Sequence, residues 1–191
     1  EKPEKRKIIS HQQAYHGNTI ASASLSGMYY NHASFGLPLD GFLHITPPHH
    51  YRFSKPGESE EDFATRLAND LEDLIQREDP DTIGAFFTEP IMGSGGVIVP
   101  PPTYFEKVQS ILKKYNILLI ADEVITGFGT TGNMFGTTTM GLKPDMIVCA
   151  KGLSSAYIPI SALMVNAKVF DAISEESNRV GIFGLSFTYS G

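Results

Sequence analysis

The stretch ILLIADEVITGFG (residues 117–129), followed by PDMIVCAK (residues 144–151), decides the fold. Ile117 to Ala121 is a continuous apolar run without helical periodicity. Such a run suits a strand covered on both faces of a sheet. It ends on two carboxylates, Asp122 and Glu123. Met146 to Ala150 is a second such run and ends on Lys151. Two strands thus each deliver a charged side chain at their carboxyl ends, the edge at which open α/β sheets bind ligands.

Outward from this stretch the pattern alternates. Upstream, Lys7 to Ser10 and Phe42 to Ile45 read as short strands. A helix is expected over Thr19 to Leu25, and loops over Met28 to Leu39 and His49 to Gly57. Glu58 to Arg77 is the clearest helix. Phe63, Leu67, Leu71, Leu74 and Ile75 recur on one face, and Glu58 to Asp62 place negative charge in the first turn, where the helix dipole favours it. Thr82 to Thr88 reads as a strand ending at Glu89. Thr103 to Tyr115 reads as a helix with Phe105, Val108, Ile111 and Leu112 on one side. Ser161 to Val165 and Phe183 to Phe187 are strand candidates around a helix from Ala167 to Glu175. Strands alternating with helices imply an α/β fold with a mostly parallel sheet flanked by helices.

Composition narrows the class. At 191 residues the chain can bury a substantial core. Net charge is −6, which argues against a nucleic-acid surface. The mixed basic run from Lys2 to Lys7 reads as a solvated terminus. No stretch is long and apolar enough to span a bilayer. The single cysteine, Cys149, reads as a small core hydrophobe in a strand, and a chain with one cysteine forms no internal disulfide. That points to a reducing compartment. The cytoplasm is expected, with an organelle left open.

Glu89, Asp122 and Lys151 then stand at the ends of three strands. A lysine at a buried strand end loses hydration, which favours the neutral amine and makes it a nucleophile toward an aldehyde. A carboxylate in the same crevice can keep a pyridine nitrogen protonated, as pyridoxal chemistry requires. Tyr15, following a strand, is placed to stack on such a ring. The competing reading is a structural ion pair between Lys151 and Asp122. Three charged strand ends together favour a site. A nucleotide triphosphatase reading of the Asp122–Glu123 pair needs a G-x-x-x-x-G-K-[ST] loop, and Gly93-Ser-Gly-Gly96 lacks the lysine. The same glycines do not make G-x-G-x-x-G. His49-His50 lack a supporting cluster of cysteines or carboxylates, so no metal site is expected.

Six segments carry a resemblance: AYHG (14–17), TEPIMG (88–93), IADEVITGFG (120–129), KPD (143–145), AKGLSS (150–155) and FTYSG (187–191). In this order they resemble the class III (omega) aminotransferases, of the pyridoxal-phosphate-dependent fold type I, aspartate aminotransferase-like group. The flanks look closest to the branch containing 4-aminobutyrate:pyruvate and omega-amine transaminases. The resemblance implies pyridoxal 5'-phosphate as cofactor, an amine or omega-amino acid donor, and a keto-acid acceptor such as pyruvate. It implies that Lys151 forms the Schiff base and shuttles the proton, and that Asp122 partners the pyridine nitrogen. Val124 would pack on the ring face opposite Tyr15. Glu89 would lie near the phenolic edge. His16 and Gly17 would shape the turn carrying Tyr15. Thr188 would reach the phosphate of the neighbouring subunit, which implies a homodimer with the site at the interface.

The chain departs from the family at three positions: Thr130 replaces an expected arginine, and Leu185 and Ser186 replace histidine and glycine. Residues 1–191 read as the central part of the large cofactor-binding domain, without the family's N-terminal segment and C-terminal small domain. The alternative reading is a catalytically incompetent fragment, or a pseudoenzyme retaining only the dimerising fold.

Overall fold

A computed structural model describes residues 4–184. Six strands form one sheet: β1 (Lys7–His11), β2 (Phe42–Ile45), β3 (Ile83–Thr88), β4 (Leu118–Asp122), β5 (Met146–Cys149) and β6 (Ala162–Val165). Their order is β2-β1-β3-β4-β5-β6. The first five run parallel, and β6 pairs antiparallel to β5. The mostly parallel sheet expected from the sequence is therefore present.

The helices are α1 (Ile20–Leu25), α2 (Tyr29–His32), α3 (His50–Phe53), α4 (Glu60–Arg77), α5 (Tyr104–Lys114), α6 (Gly136–Met140) and α7 (Ala167–Val180). Helix α4 starts at Glu60, two residues after the expected Glu58, because the Ser59 hydroxyl accepts the Asp62 N–H at 3.1 Å and caps it there; three acidic residues fill the first turn. Its predicted stripe is buried throughout. Phe63, Leu67, Leu71 and Leu74 meet Phe105, Val108 and Leu112 of α5 and Ile9, Phe86 and Leu119 of the sheet in one cluster. Each such side chain contributes about 1.5–3 kcal/mol on burial.

Helices α2 and α3 occupy segments read as loops, and α6 lies in the Gly- and Thr-rich connection between β4 and β5. Of these, α3 is tied to α4 by Arg66, which donates to both Glu58 oxygens, at 2.7 and 2.9 Å, and to the Phe53 carbonyl. Helix α7 runs five residues past the expected Glu175, to a left-handed Gly181. Phe183 and Gly184 are not in a strand, and the rest of that candidate lies outside the described residues. At this end of the sheet Leu163, Phe170 and Val180 are exposed.

Candidate active site

The parallel order places the carboxyl ends of β1, β3, β4 and β5 side by side. Each adjacent strand contributes in turn. The turn Ala14–Gly17 follows β1, Glu89 follows β3, Asp122 closes β4, and Lys151 stands two residues past β5.

Asp122 is 6% exposed. Its Oδ2 accepts from His16 Nδ1 at 2.9 Å, and its Oδ1 from the Val124 N–H at 3.0 Å. An ionised carboxylate only accepts, so Nδ1 is the donating nitrogen of His16. The other ring nitrogen, Nε2, is buried and has no hydrogen-bond partner among the described residues. The Phe87 ring meets the imidazole edge-on at 4.7 Å. The partner of Asp122 is thus His16, and the structural ion pair with Lys151 is not formed.

Glu89 is buried and clamps two loops. Its oxygens accept the N–H of Tyr15 at 3.1 Å and of Gly93 at 2.8 Å. Burial pushes its carboxyl pKa up, the two N–H donors pull it back down, and nearby Asp122 adds to the rise. The Tyr15 turn is held a second time at Gly27, whose N–H donates to Ala14 and whose carbonyl accepts from Gln13, both at 2.9 Å. A Cβ on Gly27 would lie 2.1 Å from the His11 carbonyl oxygen, so only glycine fits there.

Lys151 corrects one expectation. The residue is exposed rather than buried, because the chain leaves β5 into a 3-10 turn (Lys151–Leu153) at the thinly covered side of the sheet. Its ammonium has no hydrogen-bond or ion-pair partner among the described residues. Its φ is +47°, a left-handed conformation uncommon for a side-chain-bearing residue. Val124 and Tyr15 are both half-buried. Gly17 has φ +119°, which suits the turn after His16. Thr188, like Leu185 and Ser186, lies outside the described residues. Thr130 is exposed and donates to the Ile125 carbonyl at 3.0 Å.

The sequence does not disclose the roles of two buried groups. Glu123, fully buried, accepts from the Thr126 hydroxyl at 2.6 Å and from the N–H groups of Gly136 and Thr137 at 2.9 and 2.6 Å. It therefore caps α6 and does not act as a pair with Asp122. His11, also fully buried, shares a 2.7 Å hydrogen bond between Nε2 and the Tyr104 hydroxyl, and Nδ1 is unpartnered among the described residues. Burial lowers its pKa to about 3, with His16 and His44 adding to the effect. Cys149 is buried, and burial followed by the nearby Glu123 and Asp122 charges raises its thiol pKa. His50 donates to the Glu58 carbonyl at 2.9 Å, while the His49 ring lies 6.4 Å from Phe53. Among the described residues, no three His, Cys, Asp or Glu side chains gather as metal ligands. No helix among them is long and apolar enough to cross a membrane.

Comparison with known proteins agrees with this arrangement. The chain is 57% identical over 190 residues to gamma-aminobutyrate transaminase 1, mitochondrial, of Oryza sativa subsp. indica, covering all of this chain and 37% of that protein. It is 56% identical to gamma aminobutyrate transaminase 3, chloroplastic, of Solanum lycopersicum, covering 36% of it. The crystal structure of the omega transaminase from Pseudomonas jessenii in complex with PMP superposes with a TM-score of 0.96 at 57% identity, covering 98% of this chain and 41% of that one. The chain thus spans less than half the length of each of these relatives. The family profile described as aminotransferase class-III matches residues 1–191 from end to end. With the sheet order and the strand-end residues in place, this makes the chain a member of the class III aminotransferases.

Proposed function

We propose that the chain is the central part of the large cofactor-binding domain of a pyridoxal-phosphate-dependent transaminase, one that moves an amino group from an amine or omega-amino acid to a keto acid such as pyruvate. One observation carries this reading. Adjacent parallel strands bring to one edge an amine, Lys151, unpartnered among the described residues, and a buried carboxylate, Asp122, oriented by His16.

The residues fit the cofactor on their own chemistry. Each Asp122 oxygen accepts one N–H and keeps a lone pair free for a ring nitrogen. Tyr15 and Val124 are assigned to the two faces of the ring, and Glu89 to its phenolic edge. When bound, the cofactor supplies an aldehyde for the lysine and a protonated ring that accepts the electron pair released at the substrate carbon. Lys151 Nζ is the nucleophile and would carry the proton between the substrate carbon and the cofactor's aldehyde carbon. Asp122 keeps the ring nitrogen protonated, and His16 keeps Asp122 in place. In the first half-reaction the donor leaves as a carbonyl compound; in the second the keto acid leaves as an amine.

The names of the rice and tomato relatives support 4-aminobutyrate as the donor. A homodimer with the site at the subunit interface completes the reading, with Thr188 reaching the partner's phosphate site. Exposed Ile20, Tyr29, Tyr30 and Phe35 support such an interface. A reducing compartment is proposed, the cytoplasm or an organelle matrix. The test is to supply the full-length protein with the cofactor, 4-aminobutyrate and pyruvate and to measure alanine. Alanine formation that disappears in Lys151→Ala is expected. Equal formation by that variant overturns the assignment.

A further inference from the structure

The exposed ammonium of Lys151 is anchored by nothing among the described residues, yet its backbone is held in a conformation that L-residues disfavour. What holds it lies next door. A Cβ built on Gly152 would stand 3.1 Å from Phe128 Cδ2 and 3.2 Å from Phe128 Cβ. The Phe128 side chain therefore lies directly on the backbone of the lysine turn.

Phe128 is itself constrained. Its φ is +61°, its N–H donates to the Met134 carbonyl, and its ring meets Phe135 edge-on at 5.7 Å. The two ends of this loop are closed by one group. Glu123 stands at its start, and its carboxylate accepts the N–H groups of Gly136 and Thr137 at its end and the Thr126 hydroxyl inside it. The Glu123 carbonyl also accepts the Gly127 N–H at 2.9 Å.

We infer that Phe128 and Glu123 are positioning residues for Lys151: the buried Glu123 carboxylate closes the 124–135 loop, and the loop presses Phe128 against Gly152 to fix the lysine turn. The same loop start donates the Val124 N–H to Asp122. One loop thus sets both the amine and the carboxylate of the site. The inference rests on the reading of Lys151 as the nucleophile.

The test uses the full-length protein with pyridoxal phosphate and the variants Gly152→Ala, Phe128→Ala, their double mutant and Glu123→Gln. Leu71→Ala, in the α4 core, serves as a control for plain destabilisation. Two quantities are read: the rate at which the absorbing lysine–cofactor adduct forms from the apoprotein, and the pH midpoint of its absorbance change. Gly152→Ala and Phe128→Ala are each expected to slow formation about tenfold and to move the midpoint by at least half a pH unit. Glu123→Gln should act in the same direction, because an amide offers a donor where two N–H groups need acceptors. The double mutant should lose less than the product of the single losses, since removing the ring makes room for the added methyl. Leu71→Ala should lower the melting temperature and leave the midpoint in place. Unchanged rate and midpoint in both single variants overturn the inference, as does an equal midpoint shift in Leu71→Ala. If Phe128→Ala fails to fold, Gly152→Ala alone decides on the same two readings. Absence of any adduct in the unsubstituted protein would overturn the transaminase reading itself, and the inference with it.

Discussion

Replacing His16 tests the most specific contact in the site. Its Nδ1 donates to a buried Asp122 at 2.9 Å, and the ring packs on Phe87. His16→Phe keeps an aromatic ring of similar breadth and removes the donor. Asp122 then holds only the Val124 N–H. Hydrogen bonds to charged groups contribute about 1.5–3 kcal/mol, and a tenfold change corresponds to about 1.4 kcal/mol. Turnover is therefore expected to fall by about 10- to 150-fold. His16→Asn retains an N–H near the position of Nδ1 and should recover most of that loss. The assay is alanine formation from pyruvate by the full-length protein, run beside cofactor affinity and melting temperature. Turnover in His16→Phe equal to that of the unsubstituted protein would refute the reasoning. So would a His16→Asn variant as impaired as His16→Phe.

Three further outcomes follow from the same geometry. His11 is held neutral by burial at a pKa of about 3 against 6.5 for an ordinary histidine, so the unfolded chain binds the proton that the folded chain excludes. Stability is then lost as pH falls from 6.5 toward 3, by about 2 kcal/mol at pH 5; urea unfolding of His11→Leu should show a correspondingly smaller drop between pH 7 and 5, and parallel drops would refute the assignment. Asp122→Asn should lower the melting temperature, because its amide NH2 then faces one of the two N–H donors, and should abolish turnover, as steady-state rates and calorimetry on one preparation would show. Gly27→Ala forces a Cβ to within 2.1 Å of the His11 carbonyl oxygen, so the turn carrying Tyr15 and His16 must move; cofactor binding should weaken at least tenfold by fluorescence titration.

Much of this architecture was legible because long apolar runs and helical stripes declare themselves locally. The stripe from Phe63 to Ile75 is buried as its spacing required. The run before Asp122 is β4. What escaped depends on distant partners. Helix α6 has the sequence GTTTM, with poor helix formers and no periodicity in five residues. It exists because the Glu123 carboxylate, 13 residues upstream, accepts its first N–H groups. The contact between His16 and Asp122 spans 106 residues. Neither local pattern announces it. The apolar β5 predicts a buried Lys151, but β6 turns back antiparallel beside that strand and α7 buries no residue. An apolar strand predicts the cover of its own residues, not of the turn beyond.

Lys151 is the amine proposed to take the cofactor. The most direct measurement is to load the full-length protein with pyridoxal phosphate, reduce it with borohydride, and map the modified peptide by mass spectrometry. A single pyridoxyl group on Lys151, absent after Lys151→Ala, is the predicted result. A pyridoxyl group on another lysine, or none on a folded protein, would contradict it.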